Sequence, residues 1–350
     1  MIIFWLVRCR LTSLRELRIY PKPETNEEIT LAKLTPRARF AAVLVGVGAL
    51  AVLLTSCAVT PTPQAMPEPH TSSFGHVHGL GYDKTTGRTY AATHNGVWLL
   101  DTTNLPTTFG NGKPSVEAPG EPQPIAGRAQ DAMGFFITDA GLMLASGHPD
   151  PKEQPRLNPA NLGLITSTNG AHSWKNISLQ SEVDFHDLAA IALPRGELRI
   201  YGYAATTSKI LVSNDSGKTW TDGATREVRD LVIDRTNPDR VLATSAGGLM
   251  ISDNAAKTFA LVSTAPKLYL VDALDAASGG GFVGVDIDGT IWHSGDGSAW
   301  ISAGATHGVP EAFVFVGGAT PWVLVSDDRG VVASDNFGIT WISVMPAPTK

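Results

Sequence analysis

Histidine and aspartate recur at matched positions in this chain. Five segments, HVHGLGYD, RAQDAMGF, DFHDLAAI, EVRDLVID and YLVDALDA, align on their apolar residues. In that alignment His78, Gln130, His186, Arg229 and Val271 share one column, and Gly79, Asp131, Asp187, Asp230 and Asp272 share the next. His94 and His148-Pro149-Asp150 follow the ends of two further apolar runs, where they can join His76 and His78. Neutral imidazoles backed by carboxylates suit Zn²⁺ or Cu²⁺. The candidate ligand-binding residues are therefore His76, His78, His94, Asp131, His148, Asp150, His186, Asp187, Arg229 and Asp230, with His76, His78 and His186 as the metal-ligand set. For Asp131, Asp187, Asp230 and Asp272 a second reading stands beside this one: a residue repeated in every unit can simply accept backbone N–H bonds from the next unit. The histidines are concentrated in the first three units, and that favours function over architecture.

These residues need elements that bring distant segments together, and the chain supplies a repeat of about 40 residues. Ser213-Asn-Asp215-Ser-Gly217-Lys-Thr219-Trp220 fits the pattern S-x-D-x-G-x-T-W at every fixed position. Weaker copies are STNGAHSW from Ser167, SDNAAKTF from Ser252, SGDGSAW from Ser294 and SDNFGITW from Ser334. In such a turn the Asp or Asn accepts backbone N–H bonds, Gly takes a positive φ, and the aromatic ring packs beside the turn. Asp215, Asp253, Asp296 and Asp335 are accordingly read as structural. Ahead of each box lies an apolar strand pair around a turn, and TYAATHNGVWLLD from Thr89 has the strand pair without a box. Six units arranged as an all-β propeller over residues 74–346 are expected, or seven if Thr102 to Ile125 contains strands. Inner strands of a propeller run beside its central channel, so equivalent positions form a ring at one mouth.

The segment before the repeats reads differently. Residues 40–54, FAAVLVGVGALAVLL, are uninterrupted apolar and follow Lys33, Arg37 and Arg39. That is too short to span a bilayer comfortably and matches the apolar region of an export signal occupying residues 1–56. It ends in Leu54-Thr55-Ser56-Cys57, which resembles the bacterial lipobox and implies a lipidated Cys57 anchored in the bilayer. Residues 57–73, rich in Pro and Thr, read as a tether. The first 56 residues hold eight basic and four acidic side chains, leaving 19 against 29 beyond them. An acidic surface excludes nucleic acid as a partner, because phosphate binding needs a concentrated cationic face. Cys9 and Cys57 are the two cysteines of the chain, so the repeat region must hold together without a disulfide.

The boxes, together with His76-Val-His78-Gly-Leu, Thr93-His94-Asn-Gly-Val, Ala145-Ser-Gly-His148-Pro-Asp150 and Asp184-Phe-His186-Asp-Leu, resemble a bacterial family of BNR/Asp-box, sortilin-like propeller lipoproteins, often labelled glycosyl hydrolases by distant likeness to sialidases. The resemblance covers residues 74 to 345 and implies the propeller without implying a reaction. A sialidase needs three converging arginines, a Tyr nucleophile and an Asp acid. Its usual opening F/Y-R-I-P motif is replaced here by Phe74-Gly-His-Val-His, and Leu198-Arg199-Ile200-Tyr201 echoes it in the wrong unit without the Pro. Arg88, Arg195, Arg235 and Arg240 fall in or beside apparent turns, where solvated roles are expected.

The expected function is a membrane-anchored, extracytoplasmic binding propeller that takes a protein, peptide or small ligand at a His-lined channel mouth, with Zn or Cu as the candidate ion. The alternative is a sialidase-like glycoside hydrolase acting on extracellular glycans.

Overall fold

The computed structural model describes residues 74–118, 123–318 and 320–347. The export segment, Cys57 and the tether lie outside the described residues. Among the described residues the regular structure is strand and short 3₁₀ turns, and no helix is long and apolar enough to cross a membrane.

Six antiparallel sheets follow one another along the chain. Blade one is β1 (Val77–Asp83), β2 (Arg88–Thr93) and β3 (Gly96–Leu100). Blade two is β4 (Asp131–Ile137), β5 (Met143–His148), β6 (Leu164–Ser167) and β7 (Lys175–Ser178). Blade three is β8 (Phe185–Ala192), β9 (Leu198–Ala204), β10 (Lys209–Ser213) and β11 (Thr221–Thr225). Blade four is β12 (Asp230–Asp234), β13 (Asn237–Ser245), β14 (Gly248–Ser252) and β15 (Ala260–Leu261). Blade five is β16 (Leu268–Ala273), β17 (Phe282–Asp286), β18 (Thr290–Ser294) and β19 (Ile301–Ala305). Blade six is β20 (Ala312–Phe315), β21 (Val323–Asp327), β22 (Gly330–Ser334) and β23 (Ile342–Pro346). The first strand of each blade packs on the first strand of the next, and β20 returns to β1, so the unit is a closed six-bladed propeller.

A blade buries both faces, which is why its middle strands read as nearly continuous apolar runs rather than alternating ones. Successive residues feed opposite neighbours: Ile200 packs between blades two and three while Tyr201 packs between three and four. In β21, Val323 faces blade five and Leu324 faces blade one. The core is consequently six apolar wedges, one in each blade interface, rather than a single centre.

The Asp-type turns join the third and fourth strands of blades two to six, as their pattern dictates. Asp215 accepts the Lys218 and Thr219 N–H groups at 3.1 and 2.9 Å, Ser213 Oγ accepts that of Gly217, and Trp220 donates to the Gly217 carbonyl. The turns of blades four and six lean on the outer strand of the preceding blade: Ala224 N–H donates to the Ala256 carbonyl and Gly304 N–H to that of Phe337. In the fourth and sixth blades the capping residues are Asn254 and Asn336. Asp253, expected to cap, instead faces Arg240 at 3.4 Å, because the third position of the turn, not the second, points inward.

Among the described residues, 102–125 add no seventh blade. Their described part carries the 3₁₀ turns Phe109–Gly112 and Ile125–Gly127, and Phe109 lies edge-on to Tyr82 and Trp322 at 5.5 and 5.4 Å. Among the described residues no strand is exchanged between the first and last blades. Their seam is held by that aromatic packing, by Tyr82 O–H donating to the Gly110 carbonyl, and by Glu311 accepting the Val77 N–H at 3.1 Å.

Candidate functional site

The two aligned columns separate into two kinds of residue. Asp187 accepts the Leu231 N–H of blade four at 2.6 Å, Asp230 that of Val271 at 2.6 Å, and Asp272 that of Phe315 at 2.7 Å. Three successive blade interfaces are thus stitched by one carboxylate each. All three side chains line the channel wall, and burial pushes their carboxyls upward, Asp187 to about 7 and Asp230 well above the ordinary range, with mutual repulsion adding to the effect. Asp150 is also occupied structurally: it accepts the Ala129 and Lys152 N–H groups at 2.9 and 2.8 Å, and those bonds hold its carboxyl low.

Asp131 breaks the series. Blade two is joined to blade three instead by Ser146, whose hydroxyl accepts the Phe185 N–H at 2.9 Å. Asp131 Oδ1 lies 3.2 Å from His78 Nε2 and 3.1 Å from His94 Nδ1, and those nitrogens are themselves 3.1 Å apart. Three N–H or oxygen groups at the corners of such a triangle cannot all satisfy one another, because each edge needs one donor and one acceptor while Asp131 donates nothing. A triangle of that size has its centre about 1.8 Å from each corner, so an ion about 1 Å above the plane lies about 2.1 Å from all three, the Zn–N and Zn–O distance. Burial lowers the His78 pKa, with His76 and His94 adding to that and Asp131 opposing it, which favours the neutral ring a metal requires. Burial also acts on Asp131, but the hydrogen bonds and charges of His78 and His94 outweigh it and keep the carboxylate ionised.

Local backbone geometry assembles this triangle. His94 occupies the tip of the two-residue β2–β3 hairpin, whose strands are in register at Thr93 and Gly96. Gly96 has φ +97°, and a Cβ there would collide with the Arg128 carbonyl, so its absence lets the hairpin tip reach blade two. Gly147, at φ +129°, does the same for β5 against the Asp131 carbonyl. Gly96→Ala is expected to cost at least about 1–2 kcal/mol of stability for the positive φ alone. Denaturant unfolding would measure it, and an unchanged midpoint would mean that the approach of β3 to blade two is not set by this residue.

The expected metal-ligand set is divided by the structure. His78 joins the triangle, His76 donates Nδ1–H to Glu311 at 2.9 Å beside it, and His186 turns away to Asp184 at 2.9 Å. The His76 ring lies 4.9 Å from that of His78 and 5.7 Å from that of His94, beside the triangle but not among its three ligands. His148, the cross-strand partner of Asp131, donates Nδ1–H to the Ala160 carbonyl at 2.8 Å and sets Nε2 3.6 Å from Asp184. Arg229 lies over the Tyr269 ring at 4.8 Å and reaches the Glu311 carbonyl at 3.4 Å.

Glu311 escaped the sequence alignment because the sixth inner strand was not included in it. A 40-residue spacing from Val271 of the aligned column would have found it. Arg235, expected in a solvated turn, sits at the opposite end of the channel. There Asp139 pairs with Lys84 at 2.8 Å and Arg235 at 3.4 Å, while Arg235 Nε–H donates to the Ala273 carbonyl. Blades one, two and four are bridged beside a channel of about 280 Å³ whose lining also includes His78.

No family model and no curated protein matches the chain. Among solved structures, a gluconolactonase from Xanthomonas campestris is similar with TM-score 0.52 at 9% identity, over 74% of this chain and 85% of that one. A putative gluconolactonase has TM-score 0.50 at 12% identity over 74% and 87%. A family 74 xyloglucanase from Xanthomonas campestris has 0.44 at 14% identity over 76% and 52%. At these identities the likeness to the two gluconolactonase structures establishes the β-propeller fold alone.

Proposed function

We propose that this chain is a membrane-anchored, extracytoplasmic binding propeller of the BNR/Asp-box, sortilin-like kind, lipidated at Cys57. It takes its ligand at the His-lined mouth through a divalent transition-metal ion, Zn²⁺ or Cu²⁺. The observation that carries this reading is the convergence of His78, His94 and Asp131, the one group of metal-ligating side chains among the described residues whose ligand atoms all lie within 4.8 Å of one another. Its chemistry is imidazole and carboxylate, which suits those ions. Asp131 belongs to a different blade from the two histidines, so the ion would also tie the ring together.

A binding role rather than glycoside hydrolysis is supported by how the charged groups are engaged. Glu311 serves His76, the Val77 N–H and Ser326, and Asp184 serves His186. Arg128, Arg199, Arg235, Arg240 and Arg329 are each paired with different carboxylates, spread over the blades rather than gathered on one substrate group.

Metal binding by the purified chain tests the reading. At an ion concentration about 100 times Kd the folded state gains about 2.7 kcal/mol, read as a raised Tm. The gain is expected with Zn²⁺ or Cu²⁺, is expected to vanish in His78→Ala and in Asp131→Ala, and is expected to persist in His186→Ala. No Tm rise with any divalent ion, or a rise that His78→Ala leaves intact, would overturn it.

A further inference from the structure

Resting on that reading, we infer that the mouth holds a carboxylate-bearing ligand at two points: the ion at His78, His94 and Asp131, and the Arg229 guanidinium. Three protein ligands on one face of an ion leave its other positions open, as in metal sites that bind a small molecule. With Asp131 as the single anionic ligand the bound ion keeps a net positive charge. The second point is built from other residues. Arg229, exposed just ahead of β12, is stacked on Tyr269 of blade five at 4.8 Å and touches the Glu311 carbonyl of blade six at 3.4 Å. Stacking and that contact fix a planar group that carries five N–H donors, most of them unspent.

No carboxylate forms an ion pair with Arg229 among the described residues, unlike the arginines named above. Asp187 and Asp230 sense its charge from within the channel, but Asp187 gives both oxygens, and Asp230 one, to backbone N–H groups. Glu311 connects the two points, since its carbonyl meets Arg229 and its carboxylate holds His76 beside the triangle. One residue therefore separates an anchored guanidinium from an open ion. The chemistry complementary to both is an anion whose oxygens can ligate a metal at one end and accept paired N–H bonds at the other, as a carboxylate does.

Such a carboxylate can belong to a free dicarboxylic acid or to the C-terminus of a peptide, and the probes distinguish them. Calorimetric titration of succinate, of triglycine and of triglycine amide into the Zn²⁺-loaded and the metal-free chain is the test. Binding of succinate or triglycine to the loaded chain, at least 10-fold weaker without the ion and at least 10-fold weaker in Arg229→Gln, is the expected result. Succinate alone would identify a free acid as the ligand class, and triglycine bound in preference to its amide would identify a peptide terminus. Arg229→Gln should leave the Zn²⁺ affinity itself within about 3-fold, because Arg229 touches none of the ion's ligands. If Zn²⁺ binds but none of the probes does, or if Arg229→Gln binds them as well as the parent chain, the two-point site is wrong while the metal site stands. If Zn²⁺ does not bind, the metal reading fails first, and this proposal fails with it.

Discussion

Replacing Phe185 by alanine is expected to destabilise the propeller by about 3–5 kcal/mol, the range for emptying a buried aromatic site. Phe185 is fully buried at the start of β8, with its ring 5.0 Å from that of Trp220 and filling the space above Gly202 where a Cβ would otherwise sit. A wedge between two sheets relaxes poorly, because either blade could fill the void only by pulling away from its other neighbour. Against a total stability of about 5–15 kcal/mol this is a large fraction. Phe185 also stands between Asp184 and His186, so its loss should free both from their present orientation. Urea unfolding with an unchanged m-value would report the stability term, and Phe185→Leu should recover much of it. A loss below about 1 kcal/mol would show that the interface between blades two and three closes up on its own.

Acidification from pH 7.5 to about 5 is expected to stabilise the fold. Asp187, Asp230 and Asp272 have folded-state pKa values raised by burial, Asp187 to about 7. For a carboxyl raised in this way the native state binds more protons, so its contribution is complete below the unfolded pKa of about 4 and is lost as pH climbs through the folded value. Asp187 is only half-buried, which discounts the burial cost and leaves on the order of 2 kcal/mol from it. His78 acts in the opposite direction, since its lowered pKa favours folding above pH 6.5 and loses that advantage as pH falls. Three carboxyls against one imidazole set the net sign. The carboxylates held low, among them Asp83, Asp139 and Asp215, withdraw their support only below about pH 4, outside this window. Thermal unfolding across the window checks the claim, and Asp187→Asn should flatten the slope. A parent Tm that falls steadily from pH 7.5 to 5 would contradict it.

Much of this arrangement was legible in the residues. The Ser-x-Asp-x-Gly-x-Thr-Trp turn has a local cause, since its side chains bond their own backbone, so the box at Ser213–Trp220 identified a blade without reference to the rest of the chain. Column alignment then placed His78, His186 and Arg229 at one mouth. It could not tell which aspartates of the next column were architectural, because Asp131 and Asp187 look alike until Ser146 is seen taking over the bond to blade three. Nor could it assign His148 and His94 to different partners. Both follow strand ends, and their separation depends on the bend that Gly96 permits and on the Ala160 carbonyl that draws His148 aside. Pairings between side chains on separate loops leave no periodic trace, which is also why the Lys84–Asp139–Arg235 bridge was invisible.

Because no strand passes between the first and last blades among the described residues, this part of the propeller resembles a bracelet fastened by a clasp rather than a welded hoop. Part of that clasp is Glu311, which grips the Val77 amide with one oxygen and the His76 ring with the other. On the proposed reading, a ligand held between the ion site and Arg229 would brace the fastening, and by reciprocity a loosened fastening would weaken the hold on it.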